Sequence, residues 1–240
     1  MRYAIISDIH ANLEAFLEVL GEIDRSGADG IICLGDIVGY GANPNECVEI
    51  IKERQILSLT GNHDKAACGL TEPVDFNTAA RRAVLWTRAE LTRANREYLR
   101  GLPEEGLVDG FMIVHGAPSD PDRYILSEYD AEEEFPLMGE NRLCFFGHTH
   151  VRVLYSLSGE EEAEVSREEH VRLREGTRYL VNPGSVGQPR DRDPRAAFLI
   201  FDDRGEIEFR RVVYPIEAAQ RKIIESGLDR FLAERLSLGY

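Results

Sequence analysis

Residues 2–10 read RYAIISDIH, an apolar run that ends at an aspartate and a histidine. The same arrangement recurs at residues 31–36, IICLGD, and at residues 56–64, ILSLTGNHD. Short apolar runs of this kind are typical of buried strands. Each predicted strand is therefore followed at once by polar side chains that can bind a ligand.

The segments between these runs have helical patterns. Asn43 and Pro44 begin a helix that continues to about Arg54, with proline in the first helical turn, where it is permitted. Residues 11–25 carry apolar side chains spaced as on one face of a helix: Leu13, Phe16, Leu17, Leu20 and Ile23. The resulting β-α-β-α-β order predicts parallel strands and an α/β fold.

The rest of the chain continues the pattern, and we expect one domain over residues 1–240, because no repeat or linker divides it. Residues 75–100 have helical patterns, and C-terminal helices are predicted from about residue 215. The acidic segment 159–170 is predicted to form a solvated hairpin tip, with His170 on the surface. Further strands are predicted at residues 111–114, 143–146, 151–155, 179–181, 196–201 and 207–213.

Five of the six histidines lie in clusters with aspartate, asparagine and glycine. The clusters are D-x-H at residues 8–10, G-D at 35–36, G-N-H-D at 61–64, H-G at 115–116 and G-H-T-H at 147–150. Carboxylate, imidazole and amide groups together form the ligand set of a hydrolytic transition-metal site. Two carboxylates, at least four imidazoles and one amide are too many ligands for one ion, so the sequence indicates two.

Each cluster follows an apolar strand, and strands that end on one rim of a sheet direct their next residues into one crevice. We therefore expect the clusters to converge, although they span residues 8–150. Most of them are weak signals by themselves; the aspartate of G-D, for example, would usually only close a turn. G-N-H-D is a stronger signal, because asparagine is an unusual metal ligand that offers its carbonyl oxygen. The shared position of the clusters and their order make the prediction specific.

The overall composition excludes some partners. The formal charge of −15 argues against long nucleic acids and anionic membranes, because both need a basic surface. No apolar run approaches the ~20 residues that span a bilayer, and the N-terminus lacks a signal-peptide pattern, which predicts a cytoplasmic protein. The four cysteines are scattered without a C-x-x-C pair and are expected to be buried.

The ordered clusters resemble the calcineurin-like metallophosphoesterase superfamily, over residues 3 to about 201. Residues 39–44, GYGANP, and residues 182–185, NPGS, resemble segments of the small bacterial phosphoesterases in that superfamily. The resemblance implies an α/β sandwich of two β-sheets packed together and flanked by helices. The N-terminal half is expected to form a parallel sheet and the later strands a mixed one.

The resemblance also implies a role for each cluster residue. The first metal ion would be bound by Asp8, His10 and His150. The second would be bound by Asn62, His115 and His148. Asp36 would bind both ions. His63 would be a catalytic group that faces the substrate and binds no metal. Asp64 would orient His63 through a hydrogen bond, and the alternative is that Asp64 caps a helix.

Two departures from the family pattern affect the site. The family often has G-D-x-x-D-R-G where this chain reads GDIVGYG from residue 35, so the expected phosphate-binding arginine is missing. One of Arg190, Arg192 and Arg195 is a candidate to replace it, and the sequence does not distinguish between them. The family also often has glutamate at the position of Asp64.

The sequence thus predicts hydrolysis of a small soluble phosphate ester, a phosphodiester or a phosphomonoester, with dinucleoside polyphosphates also open. Two divalent ions would act as cofactors, and imidazole with carboxylate suits Mn, Zn, Fe, Co or Ni. The alternative is a non-catalytic protein that keeps the same fold to bind metal or a regulatory partner. The full set of ligands and the presence of His63 favour catalysis.

Overall fold

A computed structural model of the chain describes residues 1–159 and 162–240. In this part of the chain the strands form two mixed sheets of six strands each. The first sheet has the order β3 (Leu57–Ser58), β2 (Gly30–Cys33), β1 (Arg2–Ile6), β11 (Ala196–Asp202), β12 (Glu206–Val212) and β9 (His170–Arg172). The second has the order β4 (Glu105–Val108), β5 (Phe111–Val114), β6 (Leu143–Phe145), β10 (Thr177–Asn182), β7 (Val153–Ser158) and β8 (Glu164–Ser166).

The helices of the described residues flank these sheets. They are α1 (Leu13–Ser26), α2 (Pro44–Glu53), α3 (Asn62–Cys68), α4 (Thr78–Glu90), α5 (Arg93–Arg100), α6 (Glu128–Glu134), α7 (Ile216–Glu225) and α8 (Arg230–Glu234). Short polar residues begin several of them: Asn12 accepts a hydrogen bond from Ala15 N at 3.2 Å, and Asn77 accepts one from Ala80 N at 3.0 Å. Such N-caps satisfy backbone donors that the first helical turn leaves unpaired.

A shared apolar core holds the two sheets together. Ile5 and Ile32 of the first sheet are fully buried against Phe111 and Phe145 of the second. The outer face of the first sheet, which includes Ile6, packs against the helices in a second apolar cluster. The predicted sandwich of two sheets flanked by helices is confirmed.

The strands are divided between the sheets differently from the prediction. β1, β2 and β3 are parallel, but β11, β12 and β9 from the C-terminal half complete the same sheet. β1 pairs antiparallel with β11, in which every residue is buried. Buried backbone groups need hydrogen-bond partners on both sides of a strand. β2 pairs with one side of β1, and the long-range pairing with β11 supplies hydrogen-bond partners to the backbone groups on its other side.

The acidic segment 159–170 is more structured than a hairpin tip. Strand β8 lies within it and pairs with β7, and His170 begins β9 and is exposed, as predicted. Residues 160 and 161, which belong to the same prediction, lie outside the described residues.

Two smaller predictions concern cysteines and membranes. All four cysteines are buried and carry free thiols, as expected. Among residues 1–159 and 162–240, every helix is too short or too polar to cross a bilayer.

Candidate metal centre

The five clusters meet where the two sheets come together. Asp8, Asp36 and Asn62 follow β1, β2 and β3 of the first sheet. His115 and His148 follow β5 and β6 of the second. The sequence predicts convergence on the rim of one sheet, whereas the site lies between the rims of two. The reason is that β5 pairs with β6 and β6 pairs with β10, so both strands belong to the second sheet and neither pairs with β1.

Ligand atoms form two groups that share one carboxylate. The first group contains Asp8, His10, Asp36 and His150, the second contains Asp36, His115 and His148, and within each group these atoms lie within 4.8 Å of one another. Asp36 Oδ2 is 3.5 Å from His10 Nε2 and 3.6 Å from His115 Nε2. This oxygen therefore faces both groups.

Backbone carbonyls orient the imidazoles. His10 Nδ1 lies 3.2 Å from Val38 O, His115 Nδ1 2.9 Å from Leu34 O, and His150 Nδ1 2.6 Å from Gln188 O. A carbonyl only accepts, so each Nδ1 carries the proton and each Nε2 presents a lone pair. His10 Nε2 and His150 Nε2 are 3.0 Å apart. Two lone pairs at that distance repel each other unless a cation lies against both.

Several buried acceptors at the centre lack a partner. Asp8 Oδ1, Asn62 Oδ1, His115 Nε2 and His148 Nε2 have no hydrogen-bond partner among the residues that the structure describes. An unsatisfied buried polar atom costs about 1–3 kcal/mol. Carboxylate oxygen, amide oxygen and imidazole nitrogen are ligand atoms that bind transition metals. The residues present therefore fit divalent cations, and Asn62 Oδ1 is a further buried oxygen without a partner in the described part of the chain.

Burial sets the charge of the centre. Loss of solvation raises the pKa of Asp8 to about 7 and raises the pKa of Asp36 well above its usual value. Burial also lowers the pKa of His148 to about 2 and holds the pKa of His10 and His150 well below the usual range. Neutral imidazole is the form that binds metal. Bound cations would favour the ionised carboxylates and so reverse the effect of burial on them.

The backbone at the ligands is strained. Five of them have φ in the left-handed region: Asp8 at 54°, His10 at 48°, Asp36 at 53°, His148 at 64° and His150 at 60°. Residues other than glycine rarely adopt this conformation, and such strain collects at functional sites. Hydrogen bonds hold it in place, including His10 N to Asp36 O at 2.9 Å.

Two glycines of the motifs are required by close approach. A Cβ at Gly61 would lie 2.1 Å from Asp36 Oδ1. Gly39 has φ of +143°, and a Cβ there would lie 2.6 Å from His10 Nδ1. Any side chain at either position would displace a ligand.

His63 lies beside the ligands but in neither group. Its ring centroid is 4.8 Å from His10, 4.5 Å from Tyr40 and 4.7 Å from Phe76. Its backbone N donates to Asp36 Oδ1 at 2.9 Å, which fixes the residue relative to the shared carboxylate. Burial holds the pKa of His63 well below its usual value, so the ring is neutral.

Asp64 does not form the predicted hydrogen bond to His63, whose Nδ1 has no partner in the described part of the chain. The buried carboxylate accepts from the backbone N of Val38 at 2.9 Å, Gly61 at 3.0 Å and Ile37 at 3.2 Å. The alternative prediction of an N-cap is met only in part, because Gly61 is the N-cap residue of α3 and Asp64, at the third helical position, accepts from its backbone N. Asp64 thereby joins the loop after Asp36 to the start of α3.

Replacing Asp64 with Ala is expected to destabilise the fold by about 3 kcal/mol or more, because three buried N–H groups lose their acceptor at about 1–3 kcal/mol each. Asp64→Asn keeps one oxygen and should cost less. Denaturant unfolding of metal-free protein measures both. As a control, Asp24→Ala removes an exposed pair with Arg54 and should cost less than about 1 kcal/mol. Equal stability of Asp64→Ala and Asp24→Ala would contradict this role.

The NPGS segment braces the ligand loops. Asn182 Nδ2 donates to Gly147 O at 2.7 Å, and Ser185 Oγ donates to Asp8 O at 2.8 Å. Gly187 N donates to the same Asp8 O at 2.9 Å. The segment is therefore more than a turn between strands, because it fixes the backbone of ligands from both sheets.

Two aromatic residues were not singled out from the sequence. Tyr124 stacks on His148 with ring centroids 3.9 Å apart, and Phe76 contacts His63. Neither residue belongs to a motif. The only clue to Tyr124 in the sequence is its position in the segment that follows His115. Their place at the site follows from the fold alone.

Comparisons with known proteins agree with this fold. The calcineurin-like phosphoesterase superfamily domain matches residues 1–204. An uncharacterised protein of Methanocaldococcus jannaschii is 42% identical over 98% of this chain and 97% of its own length. The crystal structure of a metallophosphoesterase from Sphaerobacter thermophilus is 40% identical, has a TM-score of 0.88, and covers 100% of this chain and 99% of that chain. The phosphodiesterase YfcE of Escherichia coli is 22% identical over 85% of this chain and 89% of its own length.

Proposed function

The chain belongs to the calcineurin-like phosphoesterase superfamily, and on that basis we propose that it hydrolyses small soluble phosphodiesters and phosphomonoesters with two bound divalent ions. The metal-dependent hydrolysis of phosphoesters is the activity of the family. The number of ions, the size of the substrate and the residue roles are our proposals. The single observation that carries them is the position of Asp36 Oδ2 between two groups of ligands.

Two ions would divide the ligands as the groups do. One ion would be held by Asp8, His10 and His150. The other would be held by Asn62, His115 and His148, and Asp36 would contact both. Bound in this way, the ions would supply Lewis acidity and a water of lowered pKa. Imidazole and carboxylate suit Mn, Zn, Fe, Co or Ni.

His63 would act on the substrate from beside the ions. Its buried ring is neutral, which supports a role as a hydrogen-bond donor to the oxygen that develops charge as the ester bond breaks. The contacts with Tyr40 and Phe76 hold the ring in place. Asp36 Oδ1 fixes its backbone at 2.9 Å, so the shared carboxylate would align ions and His63 together.

Charge and relatives support a small ester as substrate. The formal charge of −15 would repel long nucleic acids outside the pocket, whereas a small ester would interact mainly with the ions. The relative YfcE is a phosphodiesterase by name, which favours the diester. A non-catalytic role on the same fold is the second candidate, but the buried ligand set and His63 are both present, which favours turnover.

A hydrolysis screen on metal-reconstituted protein tests the proposal. Bis-p-nitrophenyl phosphate, p-nitrophenyl phosphate, a dinucleoside polyphosphate and long single-stranded DNA and RNA are compared at equal phosphate concentration and fixed salt. We expect turnover of the small esters, with the diester preferred, and poor cleavage of the polymers. Faster cleavage of a polymer than of any small ester would identify a nuclease instead. Loss of all turnover with both metal sites filled would favour the non-catalytic role.

A further inference from the structure

We propose that Arg190 binds the phosphate of the substrate and replaces the arginine that is missing after Asp36. This inference rests on the proposed function, because it places a phosphate ester at the metal centre. It assigns an anion-binding role to one side chain among three candidates that the sequence leaves equal.

The backbone of Arg190 is fixed to a metal ligand. Its N–H donates to His150 O at 3.1 Å, and two residues earlier Gln188 O accepts from His150 Nδ1 at 2.6 Å. The loop that carries Arg190 therefore cannot move without moving His150. These bonds fix the backbone of Arg190 relative to a candidate metal ligand, as preorganised binding requires.

The side chain of Arg190 lies beside the catalytic groups. Its Nη2 is 3.3 Å from Tyr40 Oη and 3.1 Å from Gln188 Oε1. The Tyr40 ring in turn contacts His10 at 4.6 Å and His63 at 4.5 Å between centroids. Tyr40 thus links the guanidinium to His63, the residue expected to face the substrate.

Arg190 makes no ion pair with any carboxylate in the described part of the chain, although the protein has 43 acidic residues. Arg195, by contrast, pairs with Asp193 at 2.6 Å, and Arg192 is exposed. An arginine without an acidic partner, close to a site for anionic substrates, is available to bind the substrate.

Unpaired donors near Arg190 complement the unpaired acceptors of the metal centre. Arg190 Nε and Gln188 Nε2 are buried and have no hydrogen-bond partner among the described residues. The hydrogen bond from Arg190 to Gln188 Oε1 identifies Nε2 as the free donor of that amide. Cations would satisfy the acceptors, and phosphate oxygens would satisfy the donors. A planar guanidinium can bind two phosphate oxygens at the same time.

Binding of inorganic phosphate to metal-reconstituted protein tests the assignment without turnover. Isothermal titration calorimetry compares wild type with Arg190→Gln, Arg190→Lys and the control Arg192→Gln, which removes the same charge two residues away. We expect Arg190→Gln to weaken phosphate binding about 10–100-fold, the usual effect of losing a hydrogen bond to a charged group. Arg190→Lys should be intermediate, and Arg192→Gln should change the affinity less than about threefold.

Turnover of bis-p-nitrophenyl phosphate separates this inference from the proposed function. An active wild type whose KM rises in Arg190→Gln but not in Arg192→Gln, at unchanged metal content, supports both. An inactive wild type with phosphate binding that depends on Arg190 rejects the function and keeps only the anion-binding role of Arg190. Equal phosphate affinity in Arg190→Gln and Arg192→Gln, no phosphate binding by wild type, or loss of metal in both Arg190 variants overturns the inference.

Discussion

Replacing Asp36 with Asn is expected to weaken both metal sites together by more than about 100-fold, beyond the 10–100-fold that the loss of an outer hydrogen-bond partner costs. Oδ2 faces both ligand groups, and Oδ1 accepts from His63 N. An amide has one oxygen. Its NH₂ group would either face the cations or oppose the N–H of His63, so one contact is lost in either orientation.

Elemental analysis after reconstitution at graded metal concentrations measures this effect. Wild type should reach two ions per chain, and Asp36→Asn should lose both ions over one concentration range. The control Asp24→Asn changes an exposed carboxylate on α1 and should bind like wild type. One tightly held ion in Asp36→Asn would show that Asp36 serves a single site, and at most one ion in wild type would reject the two-ion centre.

His63→Ala is expected to lower turnover by about 10²–10⁴-fold, the usual contribution of a positioned acid–base or hydrogen-bonding group. Metal content should remain that of wild type, because His63 belongs to neither ligand group. Steady-state kinetics on a small diester, together with elemental analysis of the same samples, measures both quantities.

Two further variants make the His63 result specific. His63→Asn keeps much of the ring volume between Tyr40 and Phe76 and tests whether the loss reflects packing. His170→Ala removes an exposed histidine of β9 and should leave turnover unchanged. If His63→Ala loses metal while activity per bound ion stays constant, His63 is a ligand and its assigned role is wrong.

The pattern of the sequence was sufficient for the secondary structure near the site. The apolar runs before Asp8, Asp36 and His115 are strands, and the helical spacing after residue 11 is α1. These elements were predicted from short apolar runs and from the helical spacing of apolar residues, both of which lie within one segment. The same local signal determines that each ligand follows a strand.

The candidate ligands were also visible in the sequence, since the order of the five clusters identified the superfamily. Six of the seven predicted ligand residues lie in the two groups, and the seventh, Asn62, has a buried amide oxygen without a partner among the described residues. What the order could not give is the contact each side chain makes. Asp64 illustrates this, because a carboxylate next to a histidine suggests a pair, whereas its oxygens reach the backbone N–H groups of a different loop.

The sequence by itself therefore determined the elements, the family and the residue types of the centre, because strand and helix periods and motif spacing are properties of neighbouring residues. Only the tertiary structure decided that β11 completes the first sheet, that the site lies between two sheets, and that Arg190 rather than Arg192 or Arg195 lies beside Tyr40. Those outcomes depend on pairing and packing between residues more than a hundred positions apart. These arrangements are favoured because they pair the buried backbone groups and bury the apolar side chains of the whole chain. A pattern of neighbouring residues carries no information about such distant contacts.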